Sequence, residues 1–389
     1  MKSYAAVISP GAVTLVGHPF APIGRGEDLR CCFRALRSVG VRPRVVDIYA
    51  YTPPEPELMA EIGQDLAQSC SRLNLFFLNG DEVQPCLDAL ASRGPAATSY
   101  NIVYPAWELP TYPTEWASQL DRFDEIWAPS RFIFQALEPV VSRPLFLVPL
   151  ASEVMLSGFL SRRYFGIPES SYAFLFFFDM RSWASRKNPE GVIEAFRRTT
   201  LRRPRSDCVL VIKVSGVEYA PQQFEVLRRD IAEEGDRIVL IDGTLSDNAV
   251  KNLIRNCDCF VSMHRAEGFG RGLIEAMYLG KPVIGTGWSG NMDFMDADTA
   301  YLLPYTLAPL SEGDYPHAAG QVWATVAPHD AADRMVALLD DPESGRATGR
   351  RAAVAVRRGF SYRAAGMRYL DRFAEIMTNS PQLSSQESP

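Results

Sequence analysis

The chain has 389 residues, 47% of them hydrophobic and 22% charged, with a net charge of −6 and a sequence pI of about 5.5. That length is too great for one compact core and predicts two domains of ordinary size. The acidic balance excludes broad, sequence-independent nucleic-acid binding, which needs a basic face, and no stretch is long enough to cross a bilayer.

The N-terminus opens Met1-Lys2-Ser3-Tyr4 and lacks a signal-peptide core with a small-residue cleavage site. A short buried strand is predicted at 12–16, a helix at 27–39 ended by Gly40, and strands at 44–48, 73–78, 101–104, 125–128 and 145–148. Repeated strand–helix alternation implies a parallel sheet covered on both faces. Residues 105–115, with three prolines and Trp107, read as a functional loop. The pattern weakens over 150–168, and a boundary is placed near residue 163. A second alternating series follows, with strands at 173–178, 208–213, 237–241, 258–262, 282–285 and 300–303, and Ser246-Asp247 capping one of the helices between them. A last amphipathic helix is expected over 361–377, and the Ser, Gln and Pro beyond it predict disorder at 379–389.

The expected division is therefore an α/β domain at 1–162, a second at 163–357, a helix at 358–378 and a tail. Seven scattered cysteines and four dispersed histidines (His18, His264, His317, His329) point to a reduced cytosolic chain with no zinc site. The run Arg197, Arg198, Arg202, Arg203 and Arg205 reads as a solvated helix end or as a peripheral membrane or polyanion contact.

Three segments carry chemistry. In the first, a strand runs through His264-Arg-Ala-Glu267-Gly268-Phe269-Gly270-Arg-Gly272 into a helix bearing Glu275. Glycines let backbone N–H groups approach a ligand, and a helix start offers unpaired donors to an anion. Glu267 and Glu275 are then ligand contacts, or else a surface loop residue and a structural ion-pair partner. In the second, an apolar strand delivers Asp179-Met-Arg181-Ser182-Trp183-Ala-Ser-Arg186-Lys187-Asn188 to a helix begun by Pro189. Arginine offers a fork for phosphate oxygens and lysine a point charge. The third is the strand exit Thr286-Gly287-Trp288-Ser289-Gly290-Asn291.

The first segment resembles the Glu-x7-Glu signature of retaining family 4 glycosyltransferases, with its EGFG run and the GKPVI strand after it. That resemblance is densest over 178–295 and looser before residue 100. It implies the GT-B fold, two doubly wound Rossmann-like domains facing across a cleft, with the last helix packing back on the N-terminal one. It also implies a nucleotide-diphosphate sugar as donor substrate, with neither metal nor other cofactor, and a glycan or glycolipid acceptor in bacterial surface polysaccharide assembly. By position, Glu267 falls to the donor sugar and Glu275 to the nucleotide ribose, with the Gly268-Phe269-Gly270 amides nearby. Lys187 falls to the diphosphate. Ser182 stands where the family has a second cation, so Arg186 or Arg181 takes that place. Ser289, Gly290 and Asn291 match a second donor loop.

In the N-terminal part, Gly24-Arg25-Gly26 fits the family's phosphate-side glycine loop better than a nicotinamide fingerprint, since Leu29 stands at the third glycine position. WELP at 107–110 and EIW-x-PS at 125–130 resemble a bacterial subset. No histidine occurs between residues 19 and 263, so Glu108 or Tyr104 takes the acceptor-side place of the family's histidine, and Trp107 lines it or belongs to the core. His264 is either a satisfied loop histidine or reaches the site from the other domain in place of that missing histidine. Asp296-Ala-Asp298 mimics a metal-binding Asp-x-Asp, but precedes a strand instead of following one.

Overall fold

The computed structural model describes residues 11–50, 54–93 and 99–379; the segment 1–4 and the tail expected to be disordered lie outside them, Asn379 apart. The chain divides into two compact units, one comprising 1–107, 111–153 and 358–389, the other 108–110 and 154–357. Residues 154–162 go with the second unit for a visible reason. Asn248, Asn252 and Asn256 line one face of the helix Asp247–Asn256 and hold this segment through its backbone, with Ser157 N and Leu160 N donating at 3.0 Å to Asn248 and Asn252.

In the first unit six parallel strands, β1 (Val13–Gly17), β2 (Arg44–Asp47), β3 (Leu73–Phe76), β4 (Tyr100–Val103), β5 (Glu125–Ala128) and β6 (Leu145–Leu147), lie in the order β2-β1-β3-β4-β5-β6. The helix Tyr362–Asn379 packs on Gly24–Ser38. A Cβ on Gly366 would stand 2.3 Å from the Ala35 carbonyl oxygen, so the glycine sets the spacing of the two helices. The EIW segment is explained here. Glu125, fully buried, takes both arms of Arg372 at 2.8 and 2.6 Å, and Trp127 stacks on Tyr369 and Phe373.

In the second unit β7 (Tyr172–Asp179), β8 (Cys208–Ser215), β9 (Ile238–Asp242), β10 (Cys259–Ser262), β11 (Val283–Thr286) and β12 (Tyr301–Leu303) are parallel, in the order β12-β11-β10-β7-β8-β9. All eight residues of β8 are buried, as a central strand covered on both faces requires. Strand order reverses between β7 and β10, and in such sheets ligands bind outside the carboxyl ends at that reversal. The sequence reading has no counterpart for the antiparallel hairpin β13 (Thr306–Pro309) and β14 (Val322–Thr325), inserted before the helix Pro328–Asp340.

The basic run forms a solvated helix face: Arg197 pairs with Glu234, Arg198 with Glu194, Arg202 with Asp333 and Arg203 with Asp340. No described helix is long and apolar enough to cross a membrane.

Arg372→Ala takes the cation from the buried Glu125 carboxylate and leaves it the neutral donors Tyr100 and Trp127. It is expected to cost about 3–5 kcal/mol in urea denaturation; a loss under about 1 kcal/mol would show the pair to be dispensable.

Candidate active site

The site is built where β7 and β10 end side by side. β7 runs into a tight turn with Trp183 at φ 62° and Asn188 at φ 57°, both left-handed. Asn188 tolerates that conformation because its side chain is occupied at both ends. Its Oδ1 accepts from Gly191 N at 3.2 Å, capping the helix Pro189–Arg202, and its Nδ2 donates to Met263 O at 3.1 Å, beyond the end of β10. The turn is thereby fixed to the neighbouring strand, and Arg186 and Lys187 are brought to the segment after it.

Glu267 is the centre of the charge cluster. One carboxylate oxygen receives the Lys187 ammonium and the other lies 3.3 Å from Arg186 Nη1, which also donates to Ala266 O at 2.7 Å. Arg186 Nη2 lies 3.8 Å from Glu108, whose residue groups with this unit. Burial would raise the Glu267 carboxyl, but Lys187 and Arg186 outweigh it and hold it at about 2. Burial and the adjacent Arg186 lower Lys187 from its ordinary value, against the pull of Glu267. Arg181 is turned elsewhere, gripping Asp179 at 2.9 and 2.6 Å, so Arg186 is the cation that stands beside Lys187.

After Glu267 the chain passes Gly268 and Gly270, the latter at φ 95°, and enters the helix Arg271–Tyr278. Gly272 lets this helix settle against the rings of Phe177 and Phe260, and Glu275 is buried at 7% exposure. The second loop backs the first. A Cβ on Gly290 would lie 1.9 Å from Gly268 O. Gly290 N donates to Glu267 O at 2.8 Å, and Glu267 N donates to Ser289 Oγ at 2.9 Å. Ser289 and Asn291 therefore hold the acidic loop, a task the sequence reading did not give them.

His264 is the hub of that support. Fully buried, it bonds Ser262 Oγ through Nδ1 and Asn291 Oδ1 through Nε2, each at 3.0 Å, while its carbonyl accepts from Thr286 Oγ1 at 2.6 Å. Of the two readings open in the sequence, it is the satisfied loop histidine.

Gly24 and Gly26 sit in the first turn of the helix Gly24–Ser38, not in a loop ahead of it; Gly26 is needed because a Cβ would meet the Ala21 carbonyl oxygen at 2.3 Å, whereas Gly24 is open. Trp107 is a core residue, donating to Thr111 O at 2.9 Å and packed edge-on against Tyr112 and Trp116. Tyr104 is buried too, its hydroxyl donating to Val148 O. Asp296 caps a turn, accepting from Asp298 N and Thr299 N at 2.9 Å. A cavity of about 480 Å³ opens beside the hairpin near Glu190, Arg265 and Trp323, but neither Glu267 nor Lys187 lines it.

Residues 166–306, within the second unit, match the family Glycosyl transferases group 1. The trehalose synthase of Pyrococcus horikoshii is 28% identical over 183 residues, 46% of this chain and 39% of that protein. The chain thus matches well under half the length of that curated relative. The backbone is similar to HepE of Anabaena, solved with UDP and glucose (TM-score 0.66, 14% identity, 93% of this chain and 99% of that one). It is also similar to a glycosyltransferase of Rickettsia africae (TM-score 0.67, 14% identity, 96% and 100%). The sucrose-phosphate synthase of Thermosynechococcus elongatus is a third such neighbour (TM-score 0.66, 14% identity, 95% and 100%). The fold is accordingly GT-B, two Rossmann-like parallel-sheet units.

His264 also predicts a pH dependence. Burial lowers its imidazolium to about 4 from an ordinary 6.5. The unfolded chain then binds a proton that the folded chain refuses, so stability is lost as pH falls from 6.5 towards 4, by roughly 3 kcal/mol in full. Denaturant midpoints taken at steps across that window should fall in the wild type and flatten in His264→Gln. Parallel slopes for the two proteins would contradict the assignment.

Proposed function

We propose that the chain is a retaining glycosyltransferase moving a hexosyl group, mannose-like or related, from a nucleotide-diphosphate sugar to a glycan or glycolipid. The observation that carries this reading is the pairing of Arg186 and Lys187 with Glu267 at the strand-order reversal, beside the start of the helix Arg271–Tyr278. Negative charge builds on the diphosphate as the glycosidic bond breaks. Fixed cations and helix-start amides stabilise it without having to reorganise, and in this reading they do the neutralising that a divalent ion does in metal-dependent transferases.

Lys187 and Arg186 then face the diphosphate, with the amides of Gly268, Phe269 and Gly270 beside them. Glu267 accepts hydrogen bonds from hydroxyls of the donor sugar and Glu275 from the ribose. Glu108 serves the acceptor side. Retention follows from departure and attack on one face of the sugar, the leaving diphosphate accepting the acceptor's proton. Neighbours named for sugar-nucleotide complexes support the donor class, and UDP-glucose, held by HepE in a further structure, is the first donor to test. The setting we assign is the bacterial cytoplasm, at the inner face of the membrane, in surface polysaccharide or lipopolysaccharide assembly.

A panel of UDP-, GDP- and dTDP-sugars is expected to give nucleotide release that depends on an acceptor. Release with no acceptor at any concentration points to a hydrolysing epimerase, and binding with no turnover to a sensor. Lys187→Ala should lower kcat about a hundredfold or more; a folded variant with near wild-type kinetics removes Lys187 from the site. Glu275→Ala should weaken nucleotide binding about tenfold, equivalent to about 1.4 kcal/mol, and unchanged calorimetric affinity would rule out the ribose contact.

A further inference from the structure

The β13–β14 hairpin is an insertion with no part in the parallel sheet, yet it is anchored to the site. Ala324 N donates to Arg265 O at 2.9 Å, the Arg265 guanidinium lies 5.2 Å from the Trp323 ring, and Ser185 Oγ donates to Asp314 O at 2.9 Å. Ser185 immediately precedes the catalytic candidate Arg186 and Arg265 lies two residues before Glu267, so the hairpin is tied to the same two turns. The loop between its strands carries Tyr315 inward to 9% exposure. Its hydroxyl donates to Glu108 Oε2 at 2.5 Å, and its ring stands 5.8 Å from that of Trp183 and 5.9 Å from the Arg186 guanidinium.

We infer that Tyr315 is a positioning residue of the transfer site, holding the Glu108 carboxylate by one oxygen so that the other is directed to Arg186 and to the substrate hydroxyls that meet there. This rests on the glycosyltransferase reading above and adds to it a residue from outside the turns after β7 and β10. The chemistry is specific. Burial and the Glu108 charge keep the phenol protonated well past its ordinary range, so it remains a donor. A phenol donor occupies one carboxylate oxygen without neutralising the charge, which a lysine or arginine there would do. Glu108 therefore stays an acceptor, and Arg186 divides its charge between Glu108 and Glu267 instead of closing wholly on Glu267. Glu108 reaches the site on an irregular segment, and the Tyr315 tether fixes its rotamer there.

The test begins with calorimetric binding of UDP to the full chain, then compares wild type, Tyr315→Phe, Glu108→Gln and the double variant in steady-state transfer from the active donor. Tyr315→Phe is expected to lower kcat about tenfold while the donor KM and the UDP affinity stay within about twofold. In the Glu108→Gln background the same change should cost about twofold or less, because the hydroxyl acts through that carboxylate. A Tyr315→Phe enzyme with wild-type kcat, or one whose loss multiplies fully with that of Glu108→Gln, overturns the assignment while leaving the transferase reading intact. A wild type that neither binds UDP nor turns over any sugar nucleotide overturns both. Equal thermal midpoints for wild type and Tyr315→Phe separate the kinetic effect from loss of fold; should Tyr315→Phe unfold, Glu108→Gln alone is read, and unchanged kcat there overturns the proposal.

Discussion

Two cations cannot be withdrawn from water at the end of a parallel sheet unless an anion is fixed beside them. That constraint organises the second unit. Arg186 is 3% exposed and Lys187 is partly covered, and Glu267 answers both. Three unusual local features nearby serve the juxtaposition. Asn188 accepts a left-handed backbone and bridges to Met263; Gly270 turns the chain into a helix; Gly290 allows one loop to rest on the carbonyl of another.

The support behind the charged residues is neutral and hydrogen-bonded. His264, Asn291, Ser289 and Thr286 form a closed set in which side chains satisfy backbone groups of the adjoining loop. A histidine kept uncharged by burial suits this place, because an imidazolium would add a third positive charge beside Lys187 and Arg186. The loop bearing Glu267 is thus held from behind, leaving its carboxylate to the cations in front.

Strand order determines why these groups meet at all. β7 and β10 are far apart in sequence but adjacent in the sheet, and both run in the same direction. Their carboxyl-end turns converge as a result, which is the general property of a doubly wound sheet at its reversal. The hairpin adds a third contributor from a further remove in sequence, and Glu108 a fourth.

The alternation of short apolar runs with helical periodicity was enough to read two parallel sheets, and observed strand limits lie within a few residues of those expected from pattern. Residue chemistry left Glu267 and Glu275 open to a structural reading, and it was the resemblance carried by these short segments that marked out Glu267 and Lys187, with Arg186 or Arg181 as the second cation. β13 and β14 are no shorter than several strands of the two sheets, but β13 is largely exposed and lacks their buried apolar run, and so the hairpin and Tyr315 passed unnoticed. The choice between Arg181 and Arg186, the burial of Trp107 in a core, and the task of His264 were likewise open in the sequence. Trp107 was settled by how its own loop folds onto Tyr112 and Trp116, whereas Arg186 and His264 were settled by Glu267 and Asn291, tens of residues away, and such partners are chosen by packing, a long-range property that no local run of residues encodes.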